Sequence, residues 1–173
     1  MISLIGLPGS GKSTVGRQLA RRLQLPFFDS DHVIEQRLGC SIREYFEREG
    51  EDRFRDLEAS VIDELTQNPA AVLSTGGGAV LRPENRHNLH SRTQVVYLNS
   101  SPDELFRRLR HDKNRPLLQV ADPLQRLRDL YTQRDPLYRE TAHVQVDTGR
   151  PSVATLVNMI VAQLEVVGTP SSH

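Results

Sequence analysis

The chain has 173 residues, and its 22 Lys and Arg residues are balanced by 22 Asp and Glu residues. A chain of this length usually folds as one domain, so we expect a single domain over residues 1–173. The balanced charge excludes a global field that would hold the chain on a nucleic acid or an anionic membrane. Any recognition of an anion must therefore come from locally placed groups.

Cysteine content and hydropathy narrow the class of protein further. The only cysteine, Cys40, has no second cysteine for an internal disulfide. No apolar stretch approaches the roughly 18 residues that cross a bilayer, and the chain opens on a strand-like segment in place of a secretion signal. We therefore expect a cytoplasmic monomer whose partner is a small-molecule substrate, with no nucleic acid and no membrane bound.

Five short apolar segments alternate with helical patterns along the chain. The segments are residues 2–5, 26–28, 71–74, 94–98 and 143–146. This alternation is typical of an α/β fold with a parallel sheet. Because the segments are continuously apolar, we expect buried strands with helices on both faces, in three layers.

The first strand leads into residues 6–13, which read GLPGSGKS and match the pattern GxxxxGK[ST] before an amphipathic helix. In such a loop the backbone N–H groups and the dipole of the following helix face a polyphosphate. We expect Lys12 to reach the β- and γ-phosphates of ATP and Ser13 to ligate Mg²⁺. The predicted nucleotide-binding residues of this loop are Gly9, Ser10, Gly11, Lys12, Ser13 and Thr14. A glycine-rich turn without a ligand is the alternative.

A phosphate loop alone does not separate a kinase from a GTP switch or a motor. The sequence contains no Asn-Lys-x-Asp run of the kind that reads guanine. We therefore expect a small-molecule kinase, which needs an acceptor pocket and a lid.

Two carboxylates, Asp29 and Asp31, come just after the second predicted strand, at the edge where open α/β sheets bind ligands. On an extended segment both would face the same side. We expect Asp29 to lie near the water shell of the metal and Asp31 to accept a hydrogen bond from the acceptor hydroxyl. An ordinary aspartate is a weak base, but phosphoryl transfer asks mainly for orientation. The alternative is that both residues only cap the following helix.

Three glycines, Gly76, Gly77 and Gly78, follow the third predicted strand at the same sheet edge. Consecutive glycines raise the entropy cost of folding, so we expect them to let backbone N–H groups approach a ligand. A flexible turn is the alternative. The strand itself ends in Ser74, which could hold a metal-bound water.

Arg55 lies off the apolar stripe of a predicted helix, three residues before Glu58. The planar guanidinium can hold a carboxylate bidentately, and Glu58 could fix its orientation. The alternative is a solvated helix face, where such pairs contribute little.

Residues 111–122 form a long, charged connection with little regular pattern and are the predicted mobile lid. We expect Arg115 to stabilise the charge of the transferred group when the lid closes. Arg134 precedes Pro136, where we expect the helix to distort or end, so Arg134 could reach the acceptor. A surface position for Arg134 remains equally open.

Taken together, these motifs resemble the shikimate kinase family of the nucleoside-monophosphate-kinase-like P-loop proteins. The resemblance covers nearly the whole chain and rests on residues 6–14, Asp29 with Asp31, Arg55 with Glu58, residues 76–78, residues 115–118 and Arg134. It implies a P-loop fold with a five-stranded parallel sheet of order 2-3-1-4-5, an acceptor-binding part at about residues 31–65 and a lid that closes around Arg115.

The resemblance also implies a reaction. Shikimate would be phosphorylated by ATP with Mg²⁺ to give shikimate 3-phosphate and ADP, a step in the chorismate and aromatic amino acid pathway. The residues that it implies for shikimate are Asp31, Arg55, Gly76, Gly77, Gly78 and Arg134, with the two arginines on the carboxylate.

Further roles follow from the same resemblance. Lys12 and Arg115 would stabilise the transferring phosphoryl group. Ser13 and Asp29 resemble the metal shell. The adenine contacts would be Arg108 and the region of Arg150.

Three other functions compete with this interpretation. A gluconate-type sugar-acid kinase shares the fold, but residues 76–78 and the segment around Arg55 argue against it. A nucleoside monophosphate kinase needs a base pocket, and the chain has only 5% aromatic residues. A non-catalytic ATP sensor would not need Asp31 and Arg115, both of which are present.

Overall fold

The structure is a computed structural model and describes residues 1–110 and 121–168. Its five strands form one parallel sheet in the order β2-β3-β1-β4-β5. The strands are β1 (Ile2–Ile5), β2 (Phe27–Asp29), β3 (Val72–Ser74), β4 (Gln94–Asn99) and β5 (Val144–Asp147). The predicted α/β class and the order 2-3-1-4-5 are confirmed.

The described residues also form eight α-helices and one short 3₁₀ helix. The helices are α1 (Lys12–Leu23), α2 (Ser30–Leu38), α3 (Ile42–Glu49), α4 (Glu51–Leu65), α5 (Pro83–Arg92), α6 (Pro102–Leu109), α7 (Pro123–Thr141) and α8 (Val153–Gly168), and the 3₁₀ helix is Ala79–Leu81. Most of the predicted lid, residues 111–120 with Arg115, lies outside the described residues. No helix in the described ranges is both long and apolar enough to cross a lipid bilayer.

The sheet carries a hydrophobic core on each face. On one face, Leu4 and Val96 pack with Leu19 of α1 and Ile160 of α8. On the other face, strand residues such as Leu73 pack in a second cluster with helices α4, α5 and α7. Each fully buried aliphatic side chain contributes about 1.5–3 kcal/mol, so the two clusters hold the strand ends in place. The expected three-layer arrangement is confirmed.

The two edge strands differ from the expectation of full burial. All residues of β2 are partly exposed, and β5 alternates between buried and exposed positions. Each of these strands pairs on one side only, so solvent reaches its free edge. The boundary of β2 also lies one residue later than predicted, because Asp29 pairs in register with Ser74.

Helices α3, α6 and α7 each begin after a residue whose side chain caps the first turn. The side chains of Ser41, Ser101 and Asp122 accept from the backbone N–H three residues later, at 3.1, 3.2 and 3.1 Å. Each bond satisfies a donor that the first helical turn leaves open.

Helix α7 does not end near Pro136, and that part of the prediction is wrong. The helix runs through Pro136 to Thr141. A proline inside a helix costs about 3 kcal/mol or more. Buried Leu127, Leu130 and Tyr138 on either side of the proline offset this cost by packing against the sheet.

Candidate active site

The turn between β1 and α1 forms a loop that is open to a cavity of about 400 Å³. Gly9 and Gly11 take φ values of 86° and 92°, which residues with a side chain rarely adopt. Of the predicted phosphate-binding residues, the cavity wall includes Gly9, Gly11, Lys12, Ser13 and Thr14. Ser10 is buried and does not line the cavity.

Lys12 begins helix α1 and is almost fully buried. Its Nζ donates to the carbonyl oxygens of Gly6 and Leu7 at 2.8 and 2.9 Å. The loop therefore holds an ammonium group at the wall of the cavity, where it can face a phosphate.

Ser13, Asp29 and Ser74 bring oxygen atoms from three elements to the same cavity. The Ser13 hydroxyl donates to Asp29 Oδ2 at 2.7 Å and lies 3.5 Å from the Ser74 hydroxyl. In the described part of the chain, no group of three or more His, Cys, Asp or Glu side chains could hold a metal. One carboxylate with two hydroxyls fits Mg²⁺, which takes few protein ligands and is completed by phosphates and water.

The segment from Asp29 to Asp31 is not extended, contrary to the prediction. Asp29 caps α2, and its Oδ1 accepts from the backbone N–H of Asp31 at 3.0 Å. Asp31 lies in the first turn of that helix. The alternative of a capping role is therefore correct for Asp29, yet both carboxylates still line the phosphate-loop cavity.

Asp31 lies at the border between two cavities. The second cavity, of about 260 Å³, shares Pro8, Asp31, Gly76 and Gly77 with the first. Burial, together with the charges of Glu58 and Asp29, raises the pKa of Asp31 from 3.8 to about 6, although Lys12 acts in the opposite direction. The carboxylate is thus a stronger hydrogen-bond acceptor than an ordinary aspartate.

Arg55 and Arg134 line the second cavity together. Arg55 donates to Glu58 at 2.8 Å, as predicted, and Glu58 is 1% exposed. Burial raises the pKa of Glu58, and the neighbouring Arg55 opposes that effect. The Nε atoms of both arginines are buried without a hydrogen-bond partner. Two guanidinium groups on the wall of one cavity suit a bound carboxylate.

Steric contacts explain the three glycines better than flexibility does. A Cβ at Gly76 would lie 2.7 Å from Asp31 Oδ1, and one at Gly77 would lie 2.7 Å from Cδ of Pro8. A Cβ at Gly78 would overlap the guanidinium of Arg55. The glycine segment therefore lets three parts of the site meet at the backbone.

Sequence reasoning missed several residues of the second cavity. These residues are Ile42, Phe46, Phe54, Arg126 and Leu130, and Tyr138 supports the wall by donating to the carbonyl of Gly77 at 2.5 Å. Helical spacing could have found Arg126, because Arg126, Leu130 and Arg134 follow each other at intervals of four on α7. The apolar residues gave no signal that separates a pocket wall from a core.

The predicted adenine contacts lie at the far end of the phosphate loop. Arg108 donates to the carbonyls of Gly9 and Thr148 at 3.3 and 3.0 Å. Arg150, two residues after Thr148, lines a separate cavity of about 590 Å³ with Gly149 and Pro151. Arg108 therefore joins the phosphate loop to the segment that carries Arg150.

The chain matches a family model described as "Shikimate kinase" over residues 8–165. It is 64% identical over 170 residues to a shikimate kinase of Paracidovorax citrulli, which covers 96% of this chain and 93% of that protein. The solved shikimate kinase of Acinetobacter baumannii, a complex with shikimate, superposes with a TM-score of 0.91 at 48% identity over 97% of this chain and 93% of that one.

A gluconokinase from Sinorhizobium meliloti superposes with a TM-score of 0.59 at 21% identity, over 96% of this chain and 91% of that one. At that level of identity the likeness extends to the fold alone, so the gluconate-type alternative is not favoured. The phosphate loop, the two arginines of the second cavity and the close relatives all indicate the same family. The chain belongs to the shikimate kinase family.

Proposed function

We propose that this chain transfers the γ-phosphoryl group of ATP to the 3-hydroxyl of shikimate, giving shikimate 3-phosphate and ADP. Membership of a kinase family implies the use of a nucleotide, for which residues 6–14 provide the phosphate site. The acceptor would enter the cavity of about 260 Å³ next to it. The reaction is a step toward chorismate and the aromatic amino acids.

In this proposal the two arginines of the acceptor cavity hold the carboxylate of shikimate. The position of Arg55 and Arg134 on the wall of one cavity supports the assignment, because a guanidinium can hold a carboxylate through two N–H donors. Gly76, Gly77 and Gly78 form the wall along which the ring lies. Such a clamp fixes the ring and so aims one hydroxyl at the phosphate loop.

Asp31 would accept a hydrogen bond from the reacting hydroxyl and take its proton as the phosphoryl group is transferred. Its place on the wall of both cavities supports this role. Lys12 and Arg115 would stabilise the charge on the transferred group. Arg115 and the lid at residues 111–122 belong to the proposal, although residues 111–120 are not described.

Ser13 and Asp29 would hold Mg²⁺, with Ser74 on a metal-bound water. A bound Mg²⁺ would neutralise part of the negative charge of the ATP phosphates. Arg108 and Arg150 would contact the adenine. We further propose one domain over residues 1–173 with an acceptor-binding part at about residues 31–65, acting as a cytoplasmic monomer.

The single observation that carries the proposal is the position of Asp31, which lines both the phosphate-loop cavity and the cavity with Arg55 and Arg134. A reacting hydroxyl must meet the terminal phosphate of ATP. Among the residues that line both cavities, which are Pro8, Asp31, Gly76 and Gly77, Asp31 alone carries a carboxylate.

A coupled ADP-release assay over a panel of acceptors tests the proposal. Shikimate should give rapid ADP release that needs both ATP and Mg²⁺. Quinate, gluconate and nucleoside monophosphates should give at least about a hundred-fold lower kcat/KM. The ring of quinate is saturated and carries an additional hydroxyl, gluconate is an open chain, and the nucleotides carry no carboxylate. ADP release that does not depend on any added acceptor would overturn the proposal.

A further inference from the structure

Arg126 is a third guanidinium on the wall of the acceptor cavity. It lies on the first turn of α7, where its backbone N–H donates to the carbonyl of the cap residue Asp122 at 3.0 Å. Its side chain is exposed, whereas Leu130, one turn further along the helix, is buried. Arg126 therefore lies at the mouth of the cavity, two turns from Arg134.

Among the described residues, the charges around the cavity leave Arg126 without a counter-charge. Arg55 is paired with Glu58 at 2.8 Å, and its Nε lies 3.6 Å from Glu51. Arg134 faces the same cavity as the carboxylate of Asp31. Without Arg126 the positive and negative charges of the ionised groups in the wall would nearly cancel. The cavity would then exert little electrostatic attraction on an anion.

Arg128, two residues further along α7, provides a contrast. It lies on another side of the helix and pairs with Asp103 at 3.7 Å. Within residues 1–110 and 121–168, the Arg126 side chain makes no hydrogen bond or ion pair. Of these two exposed arginines, Arg126 lines the cavity and has no such partner in the described ranges, whereas Arg128 is paired and does not line it.

We propose that Arg126 captures the carboxylate of the acceptor at the cavity mouth and passes it to Arg55 and Arg134, so that it sets the rate of productive binding and not the rate of phosphoryl transfer. This inference rests on the proposed function, because it takes the acceptor to be an anion. A guanidinium at the end of a long, exposed side chain can contact the carboxylate at the mouth of the cavity, where both groups keep part of their hydration.

The test compares Arg126→Gln with Arg126→Lys and with the matched control Arg128→Gln. For shikimate at low ionic strength, Arg126→Gln should lower kcat/KM about three- to thirty-fold, since one unit charge near a cavity changes the local anion concentration by that order. The kcat should change less than about two-fold, because the group leaves the transition state untouched. Arg126→Lys should keep most of the rate, and Arg128→Gln should equal the unaltered chain.

Two further measurements, at higher salt and with an uncharged substrate, distinguish electrostatic capture by Arg126 from a structural role of this residue. Raising the ionic strength to about 0.3 M should reduce the difference between Arg126→Gln and the unaltered chain to less than about two-fold, because the charge is screened. The methyl ester of shikimate, which lacks the negative charge, should be used equally well by both proteins.

Two results would overturn the inference while leaving the proposed function intact. One is an unchanged kcat/KM for Arg126→Gln at low salt. The other is a loss that is equal for the acid and the ester, or that persists at high salt, since a structural defect would act on both. Absence of shikimate turnover in the unaltered chain would instead refute the proposed function itself.

Discussion

Asp31 combines a short side chain at the first turn of α2 with a pKa raised to about 6. Replacing it by asparagine keeps the shape and removes the acceptor of the proton. We expect Asp31→Asn to lower kcat for shikimate by at least about a hundred-fold, the range of general-base catalysis, with ATP affinity nearly kept. Steady-state ADP release and calorimetric titration with ATP measure the two quantities.

The exposed neighbour His32 supplies the control for this experiment. His32→Gln should keep the kcat of the unaltered chain. A kcat for Asp31→Asn within about ten-fold of the unaltered chain would remove the carboxylate from the chemistry.

The same carboxyl should make the nucleotide-free protein less stable at neutral pH. Folded, Asp31 keeps its proton up to about pH 6, whereas its ordinary pKa is 3.8. Between these values the unfolded chain binds fewer protons at this site, so stability falls as the pH rises through the window. Asp31→Asn should therefore raise the free energy of unfolding at about pH 7.5 by about 1–3 kcal/mol, after allowance for partial exposure.

Urea denaturation at a series of pH values measures this effect. The gain of Asp31→Asn should shrink as the pH is lowered from about 7.5 to about 4.5. A gain that is the same at every pH would show that the carboxyl titrates normally in the folded protein.

Arg55 has two roles: its pairing with Glu58 stabilises the fold, and in the proposal it also binds the carboxylate of shikimate. Alanine at this position would leave Glu58, 1% exposed, as a buried charge without a partner, which costs about 3–5 kcal/mol. Lysine keeps the charge next to Glu58 and loses the planar fork. We expect Arg55→Lys to raise KM for shikimate at least about ten-fold, with KM for ATP nearly unchanged.

The exposed Arg53, which pairs with Glu49 at 3.1 Å, provides the matched control. Arg53→Lys should leave both KM values as they are. If Arg55→Lys bound shikimate with unaltered affinity, the clamp assignment would be lost.

At the scale of elements, the glycine segment after β3 joins the two halves of the site. A Cβ at Gly78 meets the end of the flexible Arg55 side chain, whereas one at Gly77 meets the ring of Pro8 in the phosphate loop. We expect Gly78→Ala to displace Arg55 and to raise KM mainly for shikimate. Gly77→Ala should instead push on Pro8 and raise KM mainly for ATP.

The two alanine variants control for each other, because they lie side by side in one turn and carry the same change. Their KM values for both substrates should be measured with the midpoint of thermal unfolding. Equal effects of both variants on both substrates would mean that the glycines serve only the folding of the turn.

Local signals allowed part of these elements to be predicted from the sequence. Ser41, Ser101 and Asp122 could be identified as helix caps because a capping bond is made within four residues. The start of α2 at Ser30 could not, because Asp29 suits the end of a strand and the cap of a helix equally. Continuation of α7 through Pro136 depends on packing against distant residues, which no local pattern reports.

At the scale of the whole molecule, the parallel sheet brings remote residues to one edge. Strands β2, β3 and β1 are neighbours, so the segments that follow them, with Asp31, Gly76 and Lys12, meet at their carboxyl ends. The order of the motifs along the sequence was enough to predict that these segments lie at the same edge of the sheet. The apolar part of the second cavity's wall, such as Phe46 and Phe54, could not be predicted, because an apolar residue on a helix looks the same beside a pocket and beside a core.

Phosphoryl transfer by the proposed route requires that the acceptor and the nucleotide meet at Asp31. A crystal structure with ADP, Mg²⁺ and shikimate bound tests this most directly. We expect the 3-hydroxyl of shikimate within hydrogen-bond distance of the Asp31 carboxylate, about 2.6–3.2 Å, and the carboxylate of shikimate on Arg55 and Arg134. Shikimate bound outside the cavity of those arginines, or with its ring hydroxyls turned away from Asp31, would contradict the account.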